Sequence, residues 1–239
     1  TYTAILGNNS LSGFQNQLNQ YKKMGFNDFK MKLSGNFSDD KAKLDLLCDE
    51  DAEPKVRVDA NNLWQHKDDV IKYMQLLNLP IMAIEEPLEP EYYDDLRDIA
   101  FELGIPIILD ESFRKQSQFH AVQNNPLFWI LNIRVSKMGG LIRSIDIIHR
   151  AERNDIPVII GAHVGETSVL TRAALVAAQA AKNSLLAQEG AFGTYLLKND
   201  VCKKPLMFGH RGELKYPYQN QSNPGFGISI NDLSDFLLN

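Results

Sequence analysis

What this chain lacks already narrows its function. It has two cysteines in 239 residues, Cys48 and Cys202. That is too few for a disulfide framework or a cysteine/histidine zinc site, so they read as free thiols of a reducing cytosol. No apolar run approaches the length needed to span a bilayer. The opening "TYTAILGNNS" carries no signal-peptide pattern, and a cytoplasmic location follows as the expectation. Lysine and arginine, 25 together, are outnumbered by 30 acidic residues, for a net charge of −5. No dense basic patch interleaves with aromatics, which argues against a nucleic-acid partner. The nucleotide fingerprints G-x-G-x-x-G and G-x-x-x-x-G-K-[ST] are both missing. The first residue is Thr1 rather than Met, so a trimmed or partial product is expected.

What is present is a regular alternation. β-like runs occur at 1–6, 28–33, 55–60, 81–86, 106–111, 129–137, 157–164 and 185–190. Between them lie amphipathic stretches such as "GFQNQLNQYKKMG", "HKDDVIKYMQLLN", "YYDDLRDIAFELG", "LIRSIDIIHRAERND" and "TSVLTRAALVAAQAAKN". Their apolar residues recur at three- and four-residue steps. Gly25, Gly104, Leu79-Pro80 and Ile156-Pro157 mark helix exits. Alternating strands and helices predict a parallel sheet with right-handed crossovers. Eight strands at this length predict an α/β chain folded as a TIM-type barrel, in one domain over residues 1–239. Residues 1–200 would form the barrel and 201–239 a tail, whose "NPGFGISINDLSDFLLN" reads as a turn, a short strand and a terminal helix. A doubly wound open sheet is the alternative.

Polar residues at the strand ends recur on a steady ruler. Lys32, Asp59, Glu85, Asp110, Lys137, His163 and Glu189 are separated by 27, 26, 25, 27, 26 and 26 residues. One step is one strand-helix unit, so these side chains are expected at one height, on the carboxyl-end rim where barrel enzymes place their chemistry. Adjacent strand residues point to opposite faces. Only one of Glu85 and Glu86 can therefore enter the mouth, and the same holds for Asp110 and Glu111. Three carboxylates converging from the third, fourth and fifth strands repel one another unless a cation lies between them. Oxygen-only ligands suit Mg²⁺, with Mn²⁺ as a substitute. Lys30 and Lys32, two apart, share a strand face. With Lys137 expected across the mouth on the sixth strand, two lysines could reach opposite faces of an α-carbon.

The pieces "KMK" (30–32), "VDANN" (58–62), "IEEP" (84–87), "LDES" (109–112) and "NIRVSKMGG" (132–140) resemble the enolase superfamily, within it the mandelate racemase/muconate-lactonizing-enzyme subgroup. The resemblance covers most of the barrel. It implies a (β/α)7β barrel and a Mg²⁺-dependent enzyme that abstracts a proton α to a carboxylate and stabilises the enediolate. It matches Asp59, Glu85 and Asp110 to the metal ligands, and Lys32 and Lys137 to paired bases. Lys30 matches an electrostatic assistant, and Asn61 a position near metal and substrate. By that match Glu85, the first of the pair, faces the metal. His163 and Glu189 are the remaining candidate substrate contacts.

The chain departs from that family pattern in places. It starts at the first barrel strand, without the family's N-terminal α+β capping domain. A capping domain in cis or in trans is thus an expected partner, beside a small carboxylate substrate. The tail's apolar residues, left uncovered, would favour a homo-oligomer. His163 in "GAHVGETS" lacks the aspartate partner of a mandelate-racemase-type base, because Arg134 stands at the aligned place. The strand-eight D-x-D signature of dipeptide epimerases is replaced by "QEGAFG". The expected reaction is a racemisation, epimerisation or cycloisomerisation, with an acid dehydratase or an o-succinylbenzoate-synthase-like lyase as alternatives. A Schiff-base lyase and an inactive barrel fragment are the competing classes. Taken singly, each motif has a plainer reading: K-x-K as a solvated pair, "LDES" as a helix cap, Lys137 as a turn lysine. Glu166 reads as the residue opening the next helix. His66, His120, His149 and His210 fall off the ruler and read as surface or packing residues.

Overall fold

The computed structural model describes residues 1–48, 54–214 and 225–231. Its elements run β1 (Ala4–Leu6), α1 (Leu11–Lys23), β2 (Asp28–Lys32), α2 (Phe37–Cys48), β3 (Lys55–Asp59), α3 (Lys67–Leu77), β4 (Ala83–Glu85) and α4 (Tyr93–Leu103). They continue with β5 (Ile107–Leu109), α5 (Phe119–Val122), β6 (Trp129–Arg134), α6 (Leu141–Arg153), β7 (Val158–Gly161), α7 (Ser168–Ala180) and β8 (Leu185–Gln188). The strands form one eight-stranded sheet in sequential order, each pair parallel. A sequential order has no switch point, so the doubly wound alternative is set aside. The sheet is curled: Tyr2, ahead of β1, forms a parallel bridge with Gln188 of β8, and the Thr3 N–H donates to the Gln188 carbonyl at 2.7 Å.

Strand alternation divides the apolar residues into two cores. Val58, Ile84, Leu109, Leu131 and Ile160 face the helices and join the main core. Ala83, Ile108, Ile130, Ile159 and Ala187, from β4 to β8, form a separate cluster on the other face. On β2 and β3 that second face is charged, carrying Lys30, Lys32, Arg57 and Asp59. The inner face is thus apolar low on β4 to β8, with Glu85, Asn132 and Arg134 above that cluster toward the strand ends, and ionic along β2 and β3. Carboxylates and lysines are tolerated there because they pair with each other.

The helix exits behave as their sequences require. Gly104 (φ 64°) and Gly25 (φ 82°) adopt the left-handed conformation that ends a helix. Asn78 takes the same role at φ 46° before Pro80. The named amphipathic stretches are helices α1, α3, α4, α6 and α7. Helix α2 was not among them, because its buried face includes Asp40 and Lys43 and so lacks a clean apolar stripe. Asp40 is buried because it anchors the β2–α2 turn: it accepts from the Ser34 and Gly35 N–H groups, each at 3.0 Å, and from the Tyr73 hydroxyl at 2.7 Å. The expected short strand of the tail is present as an antiparallel bridge between Cys202 and Ile230. The terminal helix expected beyond it lies outside the described residues. No helix among the described residues is long and apolar enough to cross a membrane.

Candidate active site

Strand register puts part of the ruler at one level. Lys32 pairs with Asp59, and Asp59 with Glu85. Glu85 pairs with Ile108, however, so Asp110, one residue past the end of β5, sits two residues beyond that level. Lys137 is not on the sixth strand, which ends at Arg134, and His163 lies two residues past the end of β7 at Gly161. Equal sequence spacing therefore hid differences in loop length, and the expectation of a single height holds only for Lys32, Asp59 and Glu85.

The pair Glu85-Glu86 resolves into two tasks. Glu85 ends β4 facing inward and is 2% exposed. Glu86 follows at φ 38° and turns to the other side. It accepts the N–H of Asp110 at 2.6 Å and of Ser112 at 2.8 Å, and the Ser112 hydroxyl at 2.7 Å. Glu86 thereby holds the turn that aims Asp110. Burial pushes its carboxyl up to about 7, against the lowering effect of those hydrogen bonds.

One side of the mouth is organised by Lys30. Its ammonium donates to Glu85 and to Glu189 at 2.9 Å each and lies 3.6 Å from Asp59. Burial alone would lower its pKa, but Glu189, Glu85 and Asp59 hold it well above the ordinary lysine value. Burial raises Asp59, with Lys30 and Lys32 opposing. Glu85 is pushed up to about 8 by burial, with Lys30 opposing and Asp59, Glu189 and Asp110 adding to the rise. Below this group, Arg57 donates to Thr3 and Asp28. Its Nη1 stands 3.9 Å from Glu189 Oε1, and neither of those buried atoms has a hydrogen-bond partner among the described residues. Glu189 therefore lies beneath the rim, engaged with Lys30. Lys32, half-buried beside Asp59, has no hydrogen bond or ion pair among the described residues.

The other side is built on Asp110. Lys137 folds back from its turn and donates to the Asp110 carboxylate, to the Asp110 carbonyl at 2.7 Å and to the Asn132 carbonyl at 2.8 Å. Arg134 also pairs with Asp110, donates to Glu111 at 2.8 Å and lies 3.1 Å from His163 Nδ1. Asp110 is held below its usual value, because Lys137 and Arg134 together outweigh its burial. Burial lowers Lys137, despite Asp110 beside it. Asn132 donates to Glu85 at 3.0 Å and joins the two sides. Gly161 on β7 is required here: a Cβ would lie 2.0 Å from Asn132 Oδ1 and 3.1 Å from Arg134 Cγ.

The remaining candidates sit at the edge. Asn61, at φ 45°, is exposed in the turn after β3, where its N–H donates to Asp59 at 3.2 Å. The exposed His163 is held through its own N–H, which donates to Glu166 at 2.9 Å. An apolar cavity of about 420 Å³ lies to one side, between α1 and the loops after β7 and β8, and includes His163 on its wall. The four other histidines, His66, His120, His149 and His210, are exposed.

Arg57 and Asn132 have no place in the strand-end ruler, Glu111 enters the sequence reading only as the neighbour of Asp110, and Arg134 only as the residue standing where an aspartate would. The two-residue rule that joined Lys30 to Lys32 would have found Arg57 from Asp59, and Arg134 and Asn132 from each other.

As the side chains stand, no three His, Cys, Asp or Glu among the described residues are gathered closely enough to hold a metal ion. Asp59, Glu85 and Asp110 are turned instead toward Lys30, Arg134 and Lys137. The donor set nonetheless suits a hard divalent cation. It offers only carboxylate oxygens from successive strand ends, and four carboxylates, Asp59, Glu85, Asp110 and Glu189, lie near enough to act on one another there.

Eight sequential parallel strands with a charged cluster at their carboxyl ends define an α/β barrel-like domain of the type that carries enzyme sites. Residues 13–234 match the sequence model of the family described as enolase C-terminal domain-like. The chain belongs to that family. It is 25% identical over 214 residues to an N-succinyl-L-Arg/Lys racemase of Bacillus cereus, covering 87% of this chain and 54% of that protein. It is 28% identical over 163 residues to a hydrophobic dipeptide epimerase of Enterococcus faecalis, covering 67% and 46% respectively. The chain thus spans about half the length of these relatives. In fold it resembles the 2-chloromuconate cycloisomerase of Rhodococcus opacus, with a TM-score of 0.84 at 24% identity, over 100% of this chain and 64% of that one.

Proposed function

We propose that this chain is the catalytic domain of an isomerase of the mandelate racemase/muconate-lactonizing type, removing a proton α to a carboxylate. The curled sheet is read as a closed (β/α)7β barrel, with a capping domain supplied in cis or in trans. The observation that carries the reading is the cluster of Asp59, Glu85 and Asp110 at successive strand ends, with Lys32 beside Asp59. Asp59, Glu85 and Asp110 would hold Mg²⁺, or Mn²⁺ in its place. Bound there, the ion would supply positive charge where a substrate carboxylate gains electron density. Lys30, kept charged by three carboxylates, adds fixed positive charge. Lys32 is the residue that takes the proton. Asn61 and His163, at the rim, are placed to meet the substrate, and Glu189 acts from below by orienting Lys30.

The test is calorimetric titration of Mg²⁺ into the chain beside Asp59→Asn and Glu85→Gln. Binding in the parent and loss in both variants is expected. A folded parent that takes up no Mg²⁺ would sink the metal reading and advance the Schiff-base lyase, which borohydride trapping with a carbonyl compound would then detect. Deuterium uptake from solvent into N-succinyl amino acids and dipeptides, the classes named for the relatives, tests proton abstraction itself.

A further inference from the structure

We propose that Lys32 is the only lysine of this mouth able to take a proton, and that the place facing it is held by a permanent cation, Arg134. The inference rests on the proton-abstraction reading and sharpens it: the site works on one face of its substrate.

The argument begins with direction. On β6, Ile130 lies in the inner apolar cluster, so strand alternation carries Asn132 and Arg134 to the same side. Both crowd the space left by the missing Cβ of Gly161. Arg134 is the last inward residue of β6, and β6 stands four strands from β2 in the eight-stranded order, which puts the two opposite each other in the closed barrel proposed above. The side chain across the mouth from Lys32 is therefore a guanidinium. A guanidinium does not give up its proton in a protein.

Lys137, three residues beyond β6, faces elsewhere. An ammonium has three N–H donors, and Lys137 directs them at the Asp110 carboxylate, the Asp110 carbonyl and the Asn132 carbonyl. Both carbonyls belong to the exits of neighbouring strands, so the residue ties β5 to β6. A base needs a lone pair within reach of the substrate proton, and the two main-chain carbonyls keep Lys137 turned into the protein whether or not the Asp110 carboxylate is taken by a metal ion. Lys30 is likewise closed off, with Glu85, Glu189 and Asp59 around it. Lys32 alone makes no side-chain hydrogen bond or ion pair among the described residues, with Asp59 near enough only to feel its charge.

One base limits the chemistry. Neutral Lys32 takes the α-proton, and the C–H electron pair stays on the substrate. The pair then either recaptures a proton on the same side or forms a double bond to the β-carbon while the β-substituent leaves with its bonding pair, which opens a ring when that substituent is tethered and eliminates it when it is not. The opposite face is met by Arg134, which returns no proton, so inversion of the α-carbon is not supported. The substrate class is thus an acid primed for cycloisomerisation or elimination, rather than one of two enantiomers to be exchanged.

The assignment is tested without knowing the substrate, by trace acylation of the folded chain with acetic anhydride and peptide mass mapping. Lys32 should react within about tenfold of the exposed Lys72, and Lys30 and Lys137 at least about tenfold more slowly than Lys32, because only local opening exposes them. Lys137 reacting as fast as Lys32 would overturn the proposal. Arg134→Ala provides a second reading: with the guanidinium that crowds this wall removed, Lys32 should keep its reactivity and Lys137 should stay slow, and a Lys137 that becomes as reactive as Lys32 would overturn the assignment. Mg²⁺ titration of the same protein separates the two claims. Lost Mg²⁺ binding with selective Lys32 labelling removes the metal reading and keeps the lysine assignment. Intact binding with a reactive Lys137 does the reverse.

Discussion

The two sides of the mouth use the same ingredients to opposite ends. At Lys30 one ammonium faces three carboxylates, and attraction outweighs burial, so the lysine is locked in its charged form. At Lys137 one ammonium shares a single carboxylate with Arg134, and burial wins, so its pKa falls. The carboxylates mirror this. Glu85, with the larger share of negative neighbours, is raised to about 8, while Asp110, with two cations, is lowered. The ratio of opposite charges, not the residue type, decides in which direction each lysine's pKa moves. A lowered pKa still does not make a base: Lys137 has the favourable shift, and its hydrogen bonds point away from the mouth.

The contrast can be broken most forcefully at Lys30. Lys30→Met would leave Glu85, Glu189 and Asp59 buried with their shared cation removed, which costs about 3–5 kcal/mol. In a chain of this size that should lower the melting temperature by about 10 °C or more, read by circular dichroism. Saturating Mg²⁺ should restore part of the loss, since a ligand bound only to the folded state stabilises it by about 2.7 kcal/mol at a hundredfold excess over Kd. Lys137→Met should cost less, about 2 kcal/mol in a denaturant titration, because Asp110 keeps Arg134 and chiefly the two carbonyls are orphaned. Equal losses at the two lysines would contradict the asymmetry. Gly161→Ala sharpens the comparison between the sides. The added Cβ pushes Asn132 off Glu85, and overpacking of this kind costs about 1–3 kcal/mol, with Mg²⁺ binding weakened as well. A smaller effect is expected at Arg134→Lys. That variant keeps a charge beside Asp110 but loses part of the guanidinium fork that also meets Glu111, and it should cost about 0.5–1.5 kcal/mol for a hydrogen bond lost at a site that stays paired, read by denaturant titration.

Glu85 and Glu86 show how far the chain itself speaks. That one of them must face inward follows from strand alternation alone, and the strand-end ruler located Lys32, Asp59 and Glu85 at a common level, as the register shows. The same ruler failed at Lys137 and His163, because it counts residues and cannot see where a strand stops and a turn begins. It also passed over Arg57, which lies below the rim and joins the cluster only through Glu189. Helix α2 escaped notice because Asp40 and Lys43 are buried by tertiary partners on other elements, not by local amphipathicity.

Local periodicity is thus enough to set the order of strands and helices, the parallel curled sheet and the identity of the carboxylates at its mouth, since each depends on spacing along one chain direction. The charge state of each lysine and the direction of its donors depend on groups far apart in sequence: Lys30 meets Glu189 across 159 residues, and Lys137 meets Asp110 across 27. Which lysine is free to act as a base is set by those distant partners. It becomes visible only when the strands are laid side by side.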